Sequence, residues 1–344
     1  MRRRPLAAVV GATLGVLMVA TPALACGGLI GPNGAVNLLR TTTFAGYHEG
    51  VEHYVTSFEF TGGGGAFGSI IPLPGVPSSV ERGGDWTLQR LARETTPVRV
   101  DALAAASGAA SAEVLLETRI DALDITVLKG GAGEVGSWAK EHGFRLPPDA
   151  PEVLDFYARR SPIFLAARFD AAAAARRGQQ IGDGTPVHVT IPTTNPWVPL
   201  RVLGLGKSGA ERVEADVFLL TDRVPALLPA RSQEGLFVDH SQAATESLLA
   251  DLRSDKGMGW VPESGWLTKL RIDARADELR YDLAVDASGQ NAPSLVQAGL
   301  SAPDVERAPD RTTEILLALA IGVGLLALAA AAAGRIGRQP AGAG

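Results

Sequence analysis

Histidine and glutamate side chains cluster at one place in this sequence, around a short polar turn. His48, Glu49, Glu52 and His53 lie close together along the chain. Imidazole and carboxylate groups are ligands that zinc and copper accept in proteins, so these four residues are the candidate metal ligands. A closed site needs a third and a fourth ligand in a fixed arrangement, and the sequence nominates no such set. The alternative is a solvated polar edge beside a turn, and we therefore predict no metal site.

Two further patterns have the spacing of catalytic or nucleotide-binding motifs but lack their partners. Ser137 and Lys140 have the Ser-x-x-Lys spacing that lets a lysine activate a serine on one helix face, yet Ser-Asp-Asn and Lys-Thr-Gly are both missing. Gly206-Lys207-Ser208 matches the end of a phosphate-binding loop, but Arg201 stands where that loop has its first glycine. We assign no catalytic and no cofactor-binding residue, and we predict no cofactor.

The N-terminal segment has the three parts of a secretory signal. Arginines occupy positions 2–4, an uncharged apolar segment covers 6–20, and the small-residue sequence Ala-Leu-Ala ends at Ala25. We predict cleavage between Ala25 and Cys26. Lipidation of Cys26 stays open, because a lipobox places leucine three residues before the cysteine and alanine stands there instead.

The C-terminal segment resembles a single membrane span. Residues 315–333 are apolar or small and carry no charge, and a helix of this length nearly crosses a hydrocarbon core of about 30 Å. Arg335 and Arg338 follow, which favours a cytoplasmic C-terminus. Signal and span together predict a single-pass protein of the cell membrane, with its N-terminus outside and its C-terminus in the cytoplasm.

The charge of the chain between these ends excludes one class of partner. Residues 26–314 carry 27 basic and 37 acidic side chains, a net charge of −10, without a basic stripe. Nucleic-acid binding is therefore not expected. The single cysteine allows no intramolecular disulfide, so the stability of the body must come from a packed core.

The body begins with a predicted β-hairpin that contains the histidine and glutamate cluster. Residues 39–60 show the side-chain alternation of β-strands on both sides of Glu49-Gly50. A two-residue turn at Glu49-Gly50 would pair His48 with Val51. In this register Glu52 lies on the face richer in aromatic residues, which we predict to be buried. His48 and His53 become diagonal neighbours on the other face.

Short strands and helices are predicted along the rest of the body. Apolar spacing favours strands at 123–128, 163–169, 187–191, 199–205 and 213–220, helices at 86–92 (capped by Asp85), 134–142, 151–157 and 241–253, and a late hairpin that pairs 267–274 with 279–285.

These elements predict an α+β fold, with a mainly antiparallel β-sheet ectodomain, short helices and one C-terminal transmembrane helix. The expected domains are a signal peptide (1–25), an extracytoplasmic α+β domain of one or two lobes (26–285), a stalk (286–313), a transmembrane helix (314–334) and a cytoplasmic tail (335–344).

Three stretches of the body resemble a known bacterial family. They are CGGLI at 26–30 directly after the signal, FGSIIPLPGVP at 67–77 and NPWVPLR at 195–201. Together they resemble the domain-of-unknown-function family 2330, over most of residues 26–290. The resemblance implies an exported, usually membrane-anchored protein without an established activity, and it carries over no catalytic residue.

We therefore expect a membrane-anchored extracytoplasmic protein of unknown function, a non-catalytic binding or scaffold module of the cell envelope. Its partner would be another envelope protein or a glycan. The alternative is an extracytoplasmic hydrolase whose site is not visible in the sequence. A concave pocket with convergent polar groups would favour the hydrolase, and a flat or edge-strand surface would favour the binding module.

Overall fold

The computed structural model describes residues 28–31, 34–35, 41–58, 68–95, 113–178, 185–229 and 235–300. The predicted signal peptide with its cleavage site at Ala25 and Cys26, the predicted membrane span at 314–334 and the tail lie outside these residues.

The described strands and helices alternate in short segments along the chain. The strands are β1 (Gly28–Gly31), β2 (Gly34–Ala35), β3 (Thr41–His48), β4 (Val51–Phe58), β5 (Gly68–Pro72), β6 (Ser79–Arg82), β7 (Glu113–Ile120), β8 (Leu123–Lys129), β9 (Ile163–Phe169), β10 (Thr185–Pro192), β11 (Trp197–Val198), β12 (Arg212–Thr221), β13 (Ala226–Leu228), β14 (Leu236–Ala243), β15 (Trp266–Arg275) and β16 (Leu283–Asp286). The helices are α1 (Thr87–Thr95), α2 (Ala132–Glu141), α3 (Ala150–Ala158), α4 (Ala171–Arg176) and α5 (Glu246–Ser254), with a short 3-10 helix at Arg201–Gly204.

A seven-stranded sheet in the order β14-β15-β12-β3-β4-β10-β6 forms the centre of the fold. Its strands pair antiparallel except for β3 and β12, which are parallel. Phe44 and Val55 are buried on one face, and Thr43 and Tyr54 are buried on the other. Because both faces are covered, alternation along β3 and β4 does not separate a buried face from a solvated one.

The predicted hairpin between β3 and β4 is confirmed, including its register. His48 pairs with Val51, and Gly46 pairs with His53. Glu49 and Gly50 have φ angles of 50° and 80°, the positive values that a two-residue hairpin turn of this twist requires.

Helices α1 and α5 cover one face of this sheet around a shared apolar core. That core contains Phe44, Val55, Leu88, Leu91, Phe218, Leu220, Leu248, Leu249, Leu252, Met258, Val261 and Leu267. The predicted cap of α1 is corrected. Asp255 accepts from the backbone N–H groups of Asp85 and Trp86 at 3.1 and 2.9 Å, whereas Asp85 itself pairs with Arg82. A carboxylate from a distant loop thus satisfies the free donors at this helix start.

A six-stranded sheet in the order β2-β1-β5-β9-β8-β7 carries helices α2 and α3. Strand β9 has the predicted bounds, and both helices were predicted within two residues. Trp138 and Tyr157 are the largest side chains that these helices bury.

A small third sheet, in the order β11-β16-β13, replaces the predicted late hairpin. The hairpin prediction was wrong, because β15 pairs along its length with β12 and also with β14, while β16 pairs with β11 and β13. Residues 279–282 leave the alternation because the carboxyl group of Asp282 is bound inside the protein, as described below. The strand predicted at 199–205 is also wrong, since a 3-10 helix occupies Arg201–Gly204.

The predicted fold class, an α+β fold with a C-terminal transmembrane helix, is wrong. The described residues form a mainly β-sheet protein, with about twice as many residues in strands as in helices. Helices α1, α2, α3 and α5 pack their apolar sides against a sheet or a neighbouring helix, and they add no separate helical layer. Within the described ranges, no helix combines the length and apolarity needed to cross a membrane.

Part of the segment assigned to a stalk packs on the body. The backbone N–H of Asp282 donates to the carbonyl of Ala298 at 2.7 Å, and Ala298 is fully buried. Arg160 donates to the carbonyl of Gln297 at 2.6 Å. Up to Gly299, the chain therefore belongs to the folded domain.

Candidate functional site

The hairpin of β3 and β4 divides the four predicted candidate ligands between two faces of the central sheet. His48 and His53 share one face, as the sequence predicts, but helices α1 and α5 cover this face, which was expected to be the solvated one. Glu52 lies on the opposite face and is 1% exposed, and Glu49 lies exposed in the turn. The four side chains therefore do not converge, and among the described residues no group of three or more His, Cys, Asp or Glu side chains could hold a metal ion.

His48 forms a side-chain hydrogen bond at the end of the sheet. Its Nδ1 lies 2.6 Å from Oδ1 of Asp222, which directly follows β12. Both side chains are partly exposed, at 35% and 50%.

His53 belongs to a stacked aromatic cluster that the sequence did not indicate. Its Nδ1 lies 2.9 Å from Nε2 of His188 on β10, so one of these two nitrogens donates to the other. The Trp260 ring stacks on the His53 ring at 3.9 Å, with 2° between the ring planes. Gly46 makes room for this ring, because a Cβ atom there would lie 2.3 Å from it.

Burial keeps both histidines of this pair neutral. It lowers the pKa of His53 to about 3, with a further contribution from His188 and His48. Burial also lowers the pKa of His188 to about 4, although a backbone hydrogen bond with Gly257 acts in the opposite direction.

The stability of the protein is expected to fall as the pH decreases from about 6.5 toward 4. In this window the unfolded histidines take up protons that His53 and His188 do not bind in the folded state, so protonation favours unfolding. Above pH 6.5 this contribution is fully retained. Urea denaturation between pH 4 and 8 measures it.

His53→Gln should make this pH dependence shallower, because one of the two titrating groups is removed. Ser57→Ala, on the same face of β4, is the matched control and should keep the wild-type slope. If stability depends on pH with the same slope in wild type and in His53→Gln, this pH dependence does not come from His53.

Glu52 lines a small cleft on the opposite face of the sheet. The cleft is also lined by Tyr47 and Thr221 from the central sheet and by Trp197 and Val285 from the small third sheet. Its free volume is about 10 Å³, close to the space that one water molecule needs. The surface that its walls expose to this space is almost entirely apolar, and the carboxyl oxygens of Glu52 are themselves buried.

The carboxyl group of Glu52 is buried without adequate compensation. Neither of its oxygens has a hydrogen-bond partner of good geometry. Burial raises its pKa to about 8, and the backbone N–H of Trp197, which faces the carboxyl group, only partly offsets this effect. The group is therefore largely protonated at neutral pH, which is unusual for a glutamate.

Two further carboxylates, Asp222 and Asp286, act electrostatically on Tyr47, one of the residues that line the cleft. Burial raises the pKa of Tyr47, with further contributions from Glu52, Asp286 and Asp222. The Tyr47 hydroxyl donates to the carbonyl of Thr193 at 2.9 Å.

The motif at 195–201 positions the wall of this cleft through a buried carboxylate. Asp282 Oδ1 accepts from the Tyr157 hydroxyl at 2.8 Å and from the backbone N–H groups of Leu200 and Arg201 at 2.7 and 3.1 Å. Its Oδ2 pairs with Arg160, whose guanidinium lies over the Trp197 ring at 4.9 Å. The sequence indicated the motif but gave no signal for Asp282, which lies 81 residues beyond Arg201.

The other two sequence patterns are separate from this site. Ser137 Oγ donates to the carbonyl of Gly133 within α2, and Lys140 is exposed on the same helix. Lys207 pairs with Glu211 at 2.7 Å in the loop before β12.

Comparison with solved structures gives only weak likenesses. A mutated baculovirus P35 after caspase cleavage has a TM-score of 0.39 and 8% identity, covering 72% of this chain and 99% of that chain. P35 in a caspase-8 complex has a TM-score of 0.39 and 9% identity, with coverages of 72% and 96%. Baculovirus P35 has a TM-score of 0.36 and 9% identity, with coverages of 72% and 95%. We draw no inference from TM-scores this low.

Fold and site together define a β-rich protein with one buried carboxyl group at a small cleft. The chain belongs to a family of uncharacterized proteins conserved in bacteria (DUF2330), whose sequence profile matches residues 20–285. The resemblance predicted from the three sequence motifs is thereby confirmed. The sequence matches no functionally curated protein.

Proposed function

We propose that this protein is an exported, non-catalytic binding module of the bacterial cell envelope, and that it binds its partner at the Glu52 cleft. The signal-like N-terminus and the acidic body support an extracytoplasmic location. The buried Glu52 carboxyl group carries the proposal, because a protein gains no stability from an ionisable group buried without partners. Such a group is more easily explained if a bound ligand supplies the missing hydrogen-bond partners.

The geometry of the cleft favours binding over hydrolysis. Glu52 has the perturbed pKa expected of a catalytic acid, but its neighbours in the cleft are apolar walls and two hydroxyl groups that already donate to backbone carbonyls, Tyr47 to Thr193 and Thr221 to Arg223. General acid–base hydrolysis needs a second reactive group and room for the scissile bond. A cleft of about 10 Å³ holds only the end of a bound group.

Site-specific photo-crosslinking in intact cells tests the proposed function. A photoreactive phenylalanine at Thr194, an exposed residue two positions before the cleft residue Pro196, should form an adduct with a partner in the envelope. The same probe at Arg159, which is 67% exposed at the end of α3, is the matched control and should form none. Adducts of the same pattern from both positions, or from neither, would contradict the proposal.

A further inference from the structure

The small third sheet is held differently on its two sides. Asp282, directly before β16, accepts from the Tyr157 hydroxyl at 2.8 Å and pairs with Arg160, so charged hydrogen bonds fasten the sheet to the α3 region. Toward the central sheet, the described strands β11, β13 and β16 form no ladder with β3, β4 or β12. That second contact therefore depends mainly on side-chain packing.

This packing has a defect at Glu52. We call the contact the Glu52 seam; it is lined by Tyr47, Glu52, Leu219 and Thr221 of the central sheet, by Pro196, and by Trp197, Val198 and Val285 of the third sheet. Glu52 is 1% exposed, neither of its oxygens has a hydrogen-bond partner of good geometry, and a space of about 10 Å³ remains beside it. Closing the seam thus removes water from a carboxyl group and supplies little in return.

The third sheet also has short ladders, which can open without the rest of the fold. Strand β11 pairs with β16 over two residues and β13 pairs with β16 over three, whereas β12 and β15 pair over ten. Short ladders open locally at a lower free energy than those of a central sheet. The chain before β11 is held at Thr193, whose N–H donates to the carbonyl of Gly50 at 3.0 Å and whose carbonyl accepts from the Tyr47 hydroxyl at 2.9 Å.

The charges around the seam do not compensate an ionised Glu52. The titratable groups on the elements packed against it are Tyr47 on β3, Tyr54 on β4, Asp222 after β12, Asp282 before β16 and Asp286 at its end. Among the described residues that line the seam, none is a cation. Arg160, whose guanidinium lies over the Trp197 ring, is already paired with Asp282. A carboxylate in the closed seam would therefore have no counter-charge.

We propose that the Glu52 seam is a pH-dependent switch, in which loss of the Glu52 proton separates the third sheet from β3 and β4 and lets water solvate the carboxylate. This inference does not depend on the proposed binding function. Asp282 keeps the third sheet attached to the α3 region, and Thr193 stays bonded to the hairpin turn. The motion is therefore confined to the segments 195–198 and 283–286.

The direction of the pH dependence follows from the two protonation states. In the closed seam, burial holds the pKa of Glu52 at about 8, and in the open seam it returns toward the ordinary value of 4.5. Between these two values the closed form binds one proton more than the open form. The equilibrium constant for opening should therefore rise about tenfold for each pH unit up to pH 8 and level off above it.

Hydrogen exchange of the full chain, followed by mass spectrometry of its peptides at pH 6, 7, 8 and 9, tests this proposal. The exchange rate of any amide rises with pH, so each wild-type rate is divided by the rate in Glu52→Gln at the same pH. This ratio also cancels the effect of His53 and His188, which the variant retains. For peptides that contain 195–198 and 283–286, the ratio should rise about tenfold per pH unit to pH 8. For peptides of β9 it should not change.

Two more variants separate the titration of Glu52 from other consequences of the substitution. Glu52→Met has a side chain of similar length that neither ionises nor needs a hydrogen-bond partner, and it should show the same pH dependence as Glu52→Gln. Glu49→Gln makes the same chemical change as Glu52→Gln in the exposed turn of the hairpin, and it should behave as wild type does.

Two results would overturn the proposal. If the ratio for 195–198 and 283–286 does not change between pH 6 and 8, ionisation of Glu52 does not open the seam. If the ratio for β9 rises by the same factor, the whole domain opens and the seam is not a separate unit.

Discussion

Replacing Asp282 with alanine is expected to lower the free energy of unfolding by about 3–5 kcal/mol, the range for removing one partner of a buried charge pair. The change leaves the Arg160 guanidinium, 9% exposed, without its carboxylate. It also leaves the buried N–H of Leu200 and the hydroxyl of Tyr157 without their acceptor. Urea denaturation of the purified chain measures the loss.

The matched control is Asp155→Ala, which removes a carboxylate from a surface ion pair with Arg159. Asp155 is 54% exposed, and its loss should change stability by no more than about 0.5 kcal/mol. Asp282→Ala should also alter Trp197 fluorescence, because Arg160 would no longer be held over that ring. If Asp282→Ala lowers the free energy of unfolding no more than Asp155→Ala does, the central role of Asp282 is contradicted.

Replacing Gly46 with alanine is expected to destabilise the protein by about 1–3 kcal/mol through overpacking. The new Cβ atom would lie 2.3 Å from Cη2 and 2.4 Å from Cζ3 of Trp260. That ring cannot rotate away freely, because it lies against the rings of Phe44 and His53. Thermal and urea unfolding measure the effect.

A second glycine and a double mutant make this prediction specific to the Trp260 contact. Gly259→Ala changes a glycine in the Trp260 loop whose added Cβ would meet no atom within 4 Å, and it should be close to neutral. In a Trp260→Ala background, Gly46→Ala should cost nothing further. If Gly46→Ala lowers stability by the same amount in the Trp260→Ala background, a clash with Trp260 is not the cause of the destabilisation.

Local sequence was sufficient to predict the hairpin and the face on which Glu52 lies. A two-residue turn fixes register through its own backbone angles, and strand alternation then assigns every side chain to a face. The same reasoning predicted strand β9 and helices α2 and α3, whose apolar spacing and flanking Gly and Pro residues are local signals.

The same local signals were misleading where residues far away in sequence form hydrogen bonds with a segment. Residues 279–285 alternate like a hairpin strand, yet Asp282 is bound by Tyr157 and by the backbone at Leu200, so the chain turns away from β15. Helix α1 follows a capping residue in sequence, but Asp255 satisfies its N–H groups. Hydrogen bonds between residues far apart in sequence leave no periodic trace.

The sequence by itself determined the histidine and glutamate cluster, the hairpin that holds it and the family to which the chain belongs. Only the tertiary structure decided how these side chains are used. Because both faces of the central sheet are buried, His53 is a neutral hydrogen-bond partner of His188 and not the surface histidine that the sequence predicts. Packing of the third sheet over β3 and β4 enclosed Glu52 beside Trp197. Burial and electrostatic surroundings depend on which elements meet in space, and no spacing along the chain encodes them.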